Sequence, residues 1–309
     1  MLNLRQVESF VVAAELGTMT AASERLHVTP SAVSLAVSGL ERALGTQLVI
    51  RRPSKGLTLT PAGRRFLGEA RQLLTYAEDV RVAAESDGGT LYGRLTIGCY
   101  RTTAPFILPG LIKSFTEIHP EVELDFIEAD QPDIEQALLD GRCEIAVMFT
   151  SDIGPGVEME FIYATAPYVL LPADHPRASD ERIDVHDLAD EPFVLLDVPP
   201  SGPYLLSVLE RAGVAPEIRY RSSGYELCRS LVAHGLGWAL LISRPHGDLS
   251  YEGLPLIGRP LVGRAPRMHV GLAWPKGVRR TRRARAFAEH CKHLIPDHIG
   301  SGVGRPVRD

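Results

Sequence analysis

Apolar spacing divides the chain before anything else is counted. Leu4, Val7, Phe10, Val11 and Ala14 recur every three or four positions, the signature of one buried helical face, and Gly17 ends that helix. A second, short helix is expected to open at Thr20 as N-cap and run through Ala21, Ala22, Glu24 and Arg25, with Leu26-His27-Val28 as a tight turn. Thr29 then caps a third helix with Pro30 in its first position, where a missing N–H costs nothing. Along it Ala32, Val33, Ala36, Val37 and Leu40 are spaced to face inward, and Ser31, Ser34, Leu35, Ser38 and Arg42 fall on the other side. Residues 47–50 and 57–60 read as two short strands around the basic tip Arg51-Arg52-Pro53-Ser54-Lys55-Gly56. Thr60-Pro61 caps a long helix to about residue 86. On it Phe66, Ala70, Leu73, Ala77, Val80 and Ala84 form a heptad stripe that calls for a partner, and Asp87-Gly88-Gly89 breaks it.

From residue 91 strand and helix patterns alternate. Strands are expected at 91–99, 122–128, 144–149, 158–164, 167–171, 193–196, 218–221, 238–242 and 268–274, and helices at 105–118, 132–139, 203–212, 225–234 and 281–294. Such alternation gives α/β layers with largely parallel strands. The chain carries no internal repeat, and the tail 300–309 lacks the apolar content to order itself.

Length and composition narrow the class. At 309 residues the chain has room for two or three domains, and 45% hydrophobic with 23% charged content is that of a globular protein. Arg5, Glu8 and Glu15 interrupt the N-terminal apolar stretch, and no run approaches twenty apolar residues, so a cytoplasmic protein is expected. The net charge of −5 argues against nucleic acid, but its distribution does not. Residues 1–88 carry ten basic and nine acidic side chains, and 42–65 carry six basic ones and no acidic one. Local charge sets the footprint on DNA. Cys99, Cys143, Cys228 and Cys291 are too widely spaced for a zinc finger or a disulfide scaffold and read as buried thiols; a redox-sensing pair is an alternative that only the family resemblance described below implies.

A helix with a short-side-chain face, held by a tight turn and followed by a basic hairpin, is what a winged helix-turn-helix inserts into the major groove. The candidate DNA contacts are Thr29, Pro30, Ser31, Ser34, Leu35 and Ser38 on the helix, with Arg51, Arg52 and Lys55 on the wing reaching phosphates or the minor groove. An ordinary helical domain with a solvated basic loop is the competing reading. The ordered succession of helix, turn, helix and hairpin favours DNA.

The stretch HVTPSAVSLAVSGLERALG, followed by RRPSKGLTLTPAG, resembles the N-terminal domain of LysR-type transcriptional regulators, and the resemblance continues to about residue 295. The chain departs from the family in the middle of the recognition helix. Leu35 and Ala36 stand where Arg or Gln is common, and Pro30 where Gln is. Bidentate base readout needs Arg, Lys, Asn or Gln, so specificity is expected from serine hydroxyls, thymine methyl contacts and DNA shape. The resemblance implies an all-α-rich winged domain at 1–60, a dimerising linker helix at 61–87, and a two-lobed, periplasmic-binding-protein-like (type 2) α/β domain at 91–295. One lobe would hold 91–163 and 266–295, the other 164–265, leaving 296–309 as tail. It further implies double-stranded DNA, a small-molecule effector and RNA polymerase as partners, a homodimer that pairs again into a tetramer, and no cofactor.

Effector chemistry is expected where strands end and helices begin. The candidates are Arg101, Thr102 and Thr103 after the first strand, Thr150, Ser201 and Tyr204, and Ser223 and Tyr225. In the family the position of Thr102 commonly touches the effector, while Arg101 suggests an anionic one such as a carboxylate, or else is a solvated charge. Enzyme signatures fail: no G-x-S-x-G, no phosphate loop, no G-x-G-x-x-G and no H-E-x-x-H occurs. His290, Cys291 and His293 are adjacent, but Cys291 falls on a buried stripe, which disfavours a metal. The run 279–285 holds five arginines and reads as a solvated helix start, with a second DNA contact as the alternative. The runner-up function is a solute-binding sensor whose N-terminal module serves only assembly, and an enzyme built on the α/β part ranks below it.

Overall fold

The computed structural model describes residues 2–52, 56–85, 90–245 and 247–300. Its first helix, α1 (Leu4–Leu16), is capped by the Asn3 side chain and ends at Gly17, whose φ of 72° lies in the left-handed region. Helix α2 (Met19–Leu26) opens two residues earlier than expected. Thr18, not Thr20, is the cap, accepting from the Ala21 amide at 3.0 Å, while Thr20 lies in the first turn and its carbonyl takes the Ser23 hydroxyl. His27 closes α2 with a left-handed φ of 55°. Thr29 and Pro30 open α3 (Pro30–Leu44) as the sequence implies. Only Val33, Val37 and Leu40 of the expected inner face are buried. Ala32 is exposed and Ala36 half-buried, because a stripe at i, i+4 and i+7 is too narrow to cover its neighbours 100° round the helix.

The wing is two antiparallel strands, β1 (Val49–Arg52) and β2 (Gly56–Leu59), with Val49 opposite Leu59 and Arg51 opposite Leu57. Three backbone donors pin it. Glu41 Oε1 on α3 accepts the amides of Leu48 at 2.8 Å and Val49 at 3.1 Å, and the Leu57 amide donates to the Gly17 carbonyl at 2.7 Å. Val7, Phe10, Val37, Leu40 and Leu48 fill the core between helices and wing.

Helix α4 (Pro61–Glu85) begins at Thr60, whose hydroxyl accepts the Gly63 amide at 2.9 Å. Its heptad stripe is divided between core and surface. Ala70 is buried and Phe66 sits 5.5 Å from Phe10 in the N-terminal core, whereas Leu73, Val80 and Ala84 are left exposed. Farther along, Val82 is 1% exposed and Asp79 7%, because that side of α4 lies on the α/β part. The break expected at residues 87–89 and the tail beyond 300 fall outside the described residues.

The α/β part holds two mixed sheets. The first has the order β4-β3-β5-β12-β6 and comprises β3 (Gly93–Tyr100), β4 (Val122–Ala129), β5 (Ile145–Phe149), β6 (Val157–Thr165) and β12 (Met268–Pro275). It carries helices α5 (Ala104–Ile118), α6 (Gln131–Leu139) and α9 (Arg282–Gly300). The second places β7 (Tyr168–Pro172) between β10 (Ala239–Leu241) and β11 (Leu256–Pro260). A bridge from Phe193 to Trp238 joins it to β8 (Phe193–Leu196) and β9 (Ile218–Ser222), served by α7 (Ser201–Arg211) and α8 (Tyr225–Ala233). The strands are less parallel than alternation suggests. β3 runs parallel to β4 and β5, and β8 to β9, but β12 is antiparallel to β5 and β6, and β7 to β10 and β11. The chain leaves the first sheet after Thr165 and returns before Met268, and those two strands lie side by side. Strand β11, LIGRP, escaped the sequence reading because its Gly and Pro mask so short a run.

Gly63 sits where α4 crosses the wing, and a Cβ there would lie 2.0 Å from the Leu48 carbonyl oxygen, a backbone atom that cannot swing aside. Gly63→Ala should therefore cost about 1–3 kcal/mol or more of the N-terminal unit's stability, although alanine favours helices. Calorimetric melting checks this, and an unchanged or raised transition would contradict the packing.

Candidate functional site

The outer face of α3 is bare of long side chains. Thr29, Pro30 and Ser31 are exposed, Ser34 and Ser38 are half-buried, and Leu35 stands out at 68% exposure. The Thr29 and Ser31 hydroxyls lie 3.0 Å apart. Arg51 does not extend freely from the wing. Its guanidinium folds onto α3, donating from Nη1 to Ser34 Oγ at 2.8 Å and from Nη2 to Ser38 Oγ at 2.8 Å and the Ser34 carbonyl at 3.3 Å. Lys55 and the side chain of Arg52 lie outside the described residues.

The expected effector loops meet, and they meet closely. Thr102, Thr103 and Ser201 are buried, at 5%, 2% and 1% exposure. Tyr100, at the end of β3, brings its hydroxyl 3.1 Å from Ser201 Oγ at the start of α7, a contact between the two sheets' loops. Phe106 on α5 meets Tyr225 on α8 edge to face at 5.6 Å. Tyr225 in turn shares the Ser243 carbonyl with Tyr168, the two hydroxyls lying 3.2 Å apart, and burial raises both phenols, so they act as hydrogen-bonding groups in the protonated form. Tyr204 donates to the Pro266 carbonyl in the returning connection. Thr150 is half-buried and tied by its amide to the His269 carbonyl at 2.9 Å, and Ser223 is exposed. Arg101 is already an ion pair, its Nε 2.7 Å from Asp130 Oδ1. The cation that suggested an anionic effector thus has its counter-charge within the chain.

Sequence reasoning missed Tyr100, Phe106, Tyr168 and Gln131. Gln131, 3% exposed, accepts the Phe149 amide at 3.1 Å and donates to the Ser151 carbonyl at 2.6 Å, fixing the loop that carries Thr150. Its place at the head of α6, directly after β4, was the available signal. Two hollows, of about 510 and 610 Å³, flank the returning segment 261–266.

The arginine run is only partly a solvated helix start: Arg279 and Arg285 are exposed, Arg280 and Arg282 half-buried and Arg283 buried. Arg279 donates to the Tyr76 hydroxyl at 3.1 Å, and the Arg280 guanidinium lies 4.0 Å from the centre of the Trp274 ring. The Arg282 amide donates to Asp79 Oδ1 at 2.9 Å. Arg283, 2% exposed, lies between Asp79 at 4.0 Å and Glu144 at 3.8 Å, and the Thr281 hydroxyl donates to Glu144 at 2.6 Å. Together these residues clamp α4 to the first sheet. The four cysteines are free and buried, and burial pushes every thiol up, to about 12 for Cys143 and Cys228, so they are not poised as thiolates. His290 Nε2 is occupied by the Ser114 hydroxyl at 2.7 Å, and Cys291 is fully buried.

Comparison with known proteins covers both halves of the chain. The family described as LysR substrate binding domain matches residues 88–295, and the bacterial regulatory helix-turn-helix protein, lysR family, matches 4–64. The HTH-type transcriptional regulator YvbU of Bacillus subtilis is 29% identical over 300 residues, spanning 95% of this chain and 99% of that one. Among solved structures, HinK, a LysR family regulator from Pseudomonas aeruginosa, aligns at a TM-score of 0.65 with 34% identity, covering 96% of this chain and 99% of that chain. A full-length OxyR variant from the same species aligns at 0.75 with 25% identity over 95% and 98%.

The clamp has a pH signature. Burial raises the Glu144 carboxyl above 4.5, since Arg283 at 3.8 Å does not offset the lost hydration. The folded chain holds that proton more tightly than the unfolded one, so this contribution is full below the unfolded value and is lost as pH rises through the folded one. Glu144→Gln still accepts from Thr281 and cannot ionise. Across a calorimetric series from about pH 4 to about pH 7, the wild type should lose melting temperature relative to Glu144→Gln. A constant difference would mean that Glu144 ionises alike folded and unfolded.

Proposed function

This chain belongs to the LysR family of bacterial transcriptional regulators, with a helix-turn-helix domain and an effector-binding domain, and from that premise we propose how its own residues divide the work. Residues 1–60 bind DNA, 61–87 link and dimerise, and 91–295 bind effector between a lobe of 91–163 with 266–295 and a lobe of 164–265, followed by the tail 296–309. DNA is met by Thr29, Pro30, Ser31, Ser34, Leu35 and Ser38 together with Arg51, Arg52 and Lys55. The observation that carries this reading is the bare outer face of α3, flanked by a wing that Glu41 locks in place. The exposed Leu73, Val80 and Ala84 support a dimer seam along the second half of α4. Pairing of dimers, contact with RNA polymerase, a cytoplasmic setting and the absence of catalysis complete the proposal. No helix among the described residues is long and apolar enough to cross a membrane.

The effector reading rests on Thr102, Thr103, Ser201, Tyr204 and Tyr225, with Arg101, Thr150 and Ser223 at the rim. Their hydroxyls and rings suit a small organic molecule with an apolar body. A carboxylate would have to draw Arg101 from Asp130. The contacts Tyr100–Ser201 and Phe106–Tyr225 tie the two lobes at this place, so a molecule entering there must part them. A ligand shifts that balance only by its differential affinity for the two poses.

A gel shift with the full-length chain and DNA upstream of its own and neighbouring genes tests the first part: a specific complex is expected, and Arg52→Ala and Lys55→Ala should each lower the log–log salt slope by about 0.9. An unchanged slope in the double variant would move the wing off DNA. Calorimetric titration with small carboxylates and neutral analogues tests the second. Thr102→Val, nearly isosteric, should keep the DNA complex and lose both the titration heat and the transcriptional response. Binding that persists unchanged in Thr102→Val would put the effector elsewhere.

A further inference from the structure

Beyond residue 88 the chain carries twenty-three basic and twenty-nine acidic side chains, so an arginine there has carboxylates within easy reach. Most surface arginines of the α/β part use them. Arg177 lies 3.4 Å from Asp180 and 3.0 Å from Asp187, Arg221 lies 3.2 Å from Asp197, and Arg244 lies 3.3 Å from Asp248. Arg182 and Arg264 differ. Both are exposed, and neither has a hydrogen bond or ion pair among the described residues. With Arg267 they line the hollow of about 510 Å³, and no carboxylate among the described residues lines it with them. The nearby acids are engaged elsewhere: Asp180 and Asp187 hold Arg177, and Asp184 lies 2.7 Å from His186. Glu181, though next to Arg182 in the chain, is not part of the lining.

The backbone under these cations is fixed. The Ile183 amide donates to the Pro260 carbonyl at 3.0 Å, and the Val262 amide donates to the Ile183 carbonyl at 2.8 Å. The residue beside Arg182 is thereby bridged to the segment that carries Arg264. Tyr204 anchors that segment again through the Pro266 carbonyl. Arg267 immediately precedes Met268, which pairs with Thr165 where the chain leaves the first sheet, and Ala166 and Pro167 follow from there into the lining. Pro260, Leu261 and Ala265 complete an apolar wall. The hollow thus sits against both connections between the two sheets. Its volume falls in the range of small-molecule sites, roughly 300–1,000 Å³.

We infer that this hollow is a second small-molecule site, on the joint between the sheets and apart from the effector loops. Its ligand is a multiply charged anion, a phosphate ester or a di- or tricarboxylate with a compact apolar body. Three like charges around one space oppose each other, and a bound anion relieves that opposition. The guanidinium edge presents paired N–H donors that match both phosphate and carboxylate. One exposed arginine gains little from one anion, because water screens the pair. Several arginines on a rigid frame favour a ligand with several charges. The inference stands apart from the DNA and effector readings above, since it uses none of their residues except Tyr204, whose hydroxyl only anchors the backbone.

The test is calorimetric titration of the full-length chain with pyrophosphate, citrate and acetate at one ionic strength of about 0.1 M, where screening is the same for all. Wild type should bind pyrophosphate or citrate saturably, and acetate at least about tenfold more weakly. The stronger of the first two tells phosphate from carboxylate chemistry. Arg182→Ala/Arg264→Ala should melt like wild type, since both side chains are exposed and unpaired, and should bind the anion about tenfold or more weakly. Arg182→Lys/Arg264→Lys, which keeps the charges, should fall between the two. Arg52→Ala/Lys55→Ala should bind as wild type does, which separates this site from the wing. The inference is overturned if neither pyrophosphate nor citrate binds saturably. It is equally overturned if Arg182→Ala/Arg264→Ala keeps the wild-type affinity, or if the wing variant is the one that loses it.

Discussion

A guanidinium buried between two carboxylates of different elements holds the two halves of this regulator in one piece. Arg283 comes from α9, Asp79 from α4 and Glu144 from the loop before β5. Breaking such a group by removing one partner is expensive, on the order of 3–5 kcal/mol, because the remaining charge stays buried. Its separations of 3.8 and 4.0 Å are longer than a direct hydrogen bond, so the cluster is a stiff spacer more than a strong glue. Around it Arg279 on Tyr76 and Arg282 on Asp79 extend the same seam along α4. The first sheet is thereby fixed to α4, and α4 is packed on the N-terminal core through Phe66 against Phe10.

That route clarifies why α4 shows two characters. A helix that only dimerised would keep its stripe free, and one that only packed within the chain would bury it. Phe66 and Ala70 go to the chain's own core, Asp79 and Val82 to the α/β part, and Leu73, Val80 and Ala84 remain uncovered on the side between. One helix thus packs on two bodies along two lines and keeps a third line free. A displacement at any one of them is felt by the others, since packed interiors transmit strain and do not absorb it.

Much of this was legible in the residues, and the failures have particular causes. Gly17, Thr29-Pro30 and Thr60-Pro61 mark helix ends because capping is local chemistry, decided within three residues. Thr20 was mistaken for a cap because Thr18 offers the same hydroxyl two positions earlier, and only the backbone path decides between them. Charge was the least legible property. Arg51, Arg101 and Arg283 look alike in a sequence, as solvated or ligand-seeking cations. The fold gives the first to two serines, the second to Asp130 and the third to a buried site. Their partners lie from 13 to more than 200 residues away, farther than any spacing rule can see. Tyr100 meeting Ser201 across 101 residues is the same kind of fact.

The order of strands also bears on how the molecule comes into being. The first sheet is interrupted: the chain leaves it after β6, about a hundred residues of the second sheet intervene, and only then do β12 and α9 return. Chains emerge from the ribosome N-terminus first, at roughly 5–20 residues per second. The recognition unit can be complete within seconds, while Asp79 and Glu144 must wait for Arg283, which follows both of them by well over a hundred residues. Until then α4 bears a carboxylate without its cation Arg283, and is not yet locked to the α/β part. A nascent or truncated chain would carry a finished DNA-binding end without the part that governs it, and the clamp closes only once α9 has been made.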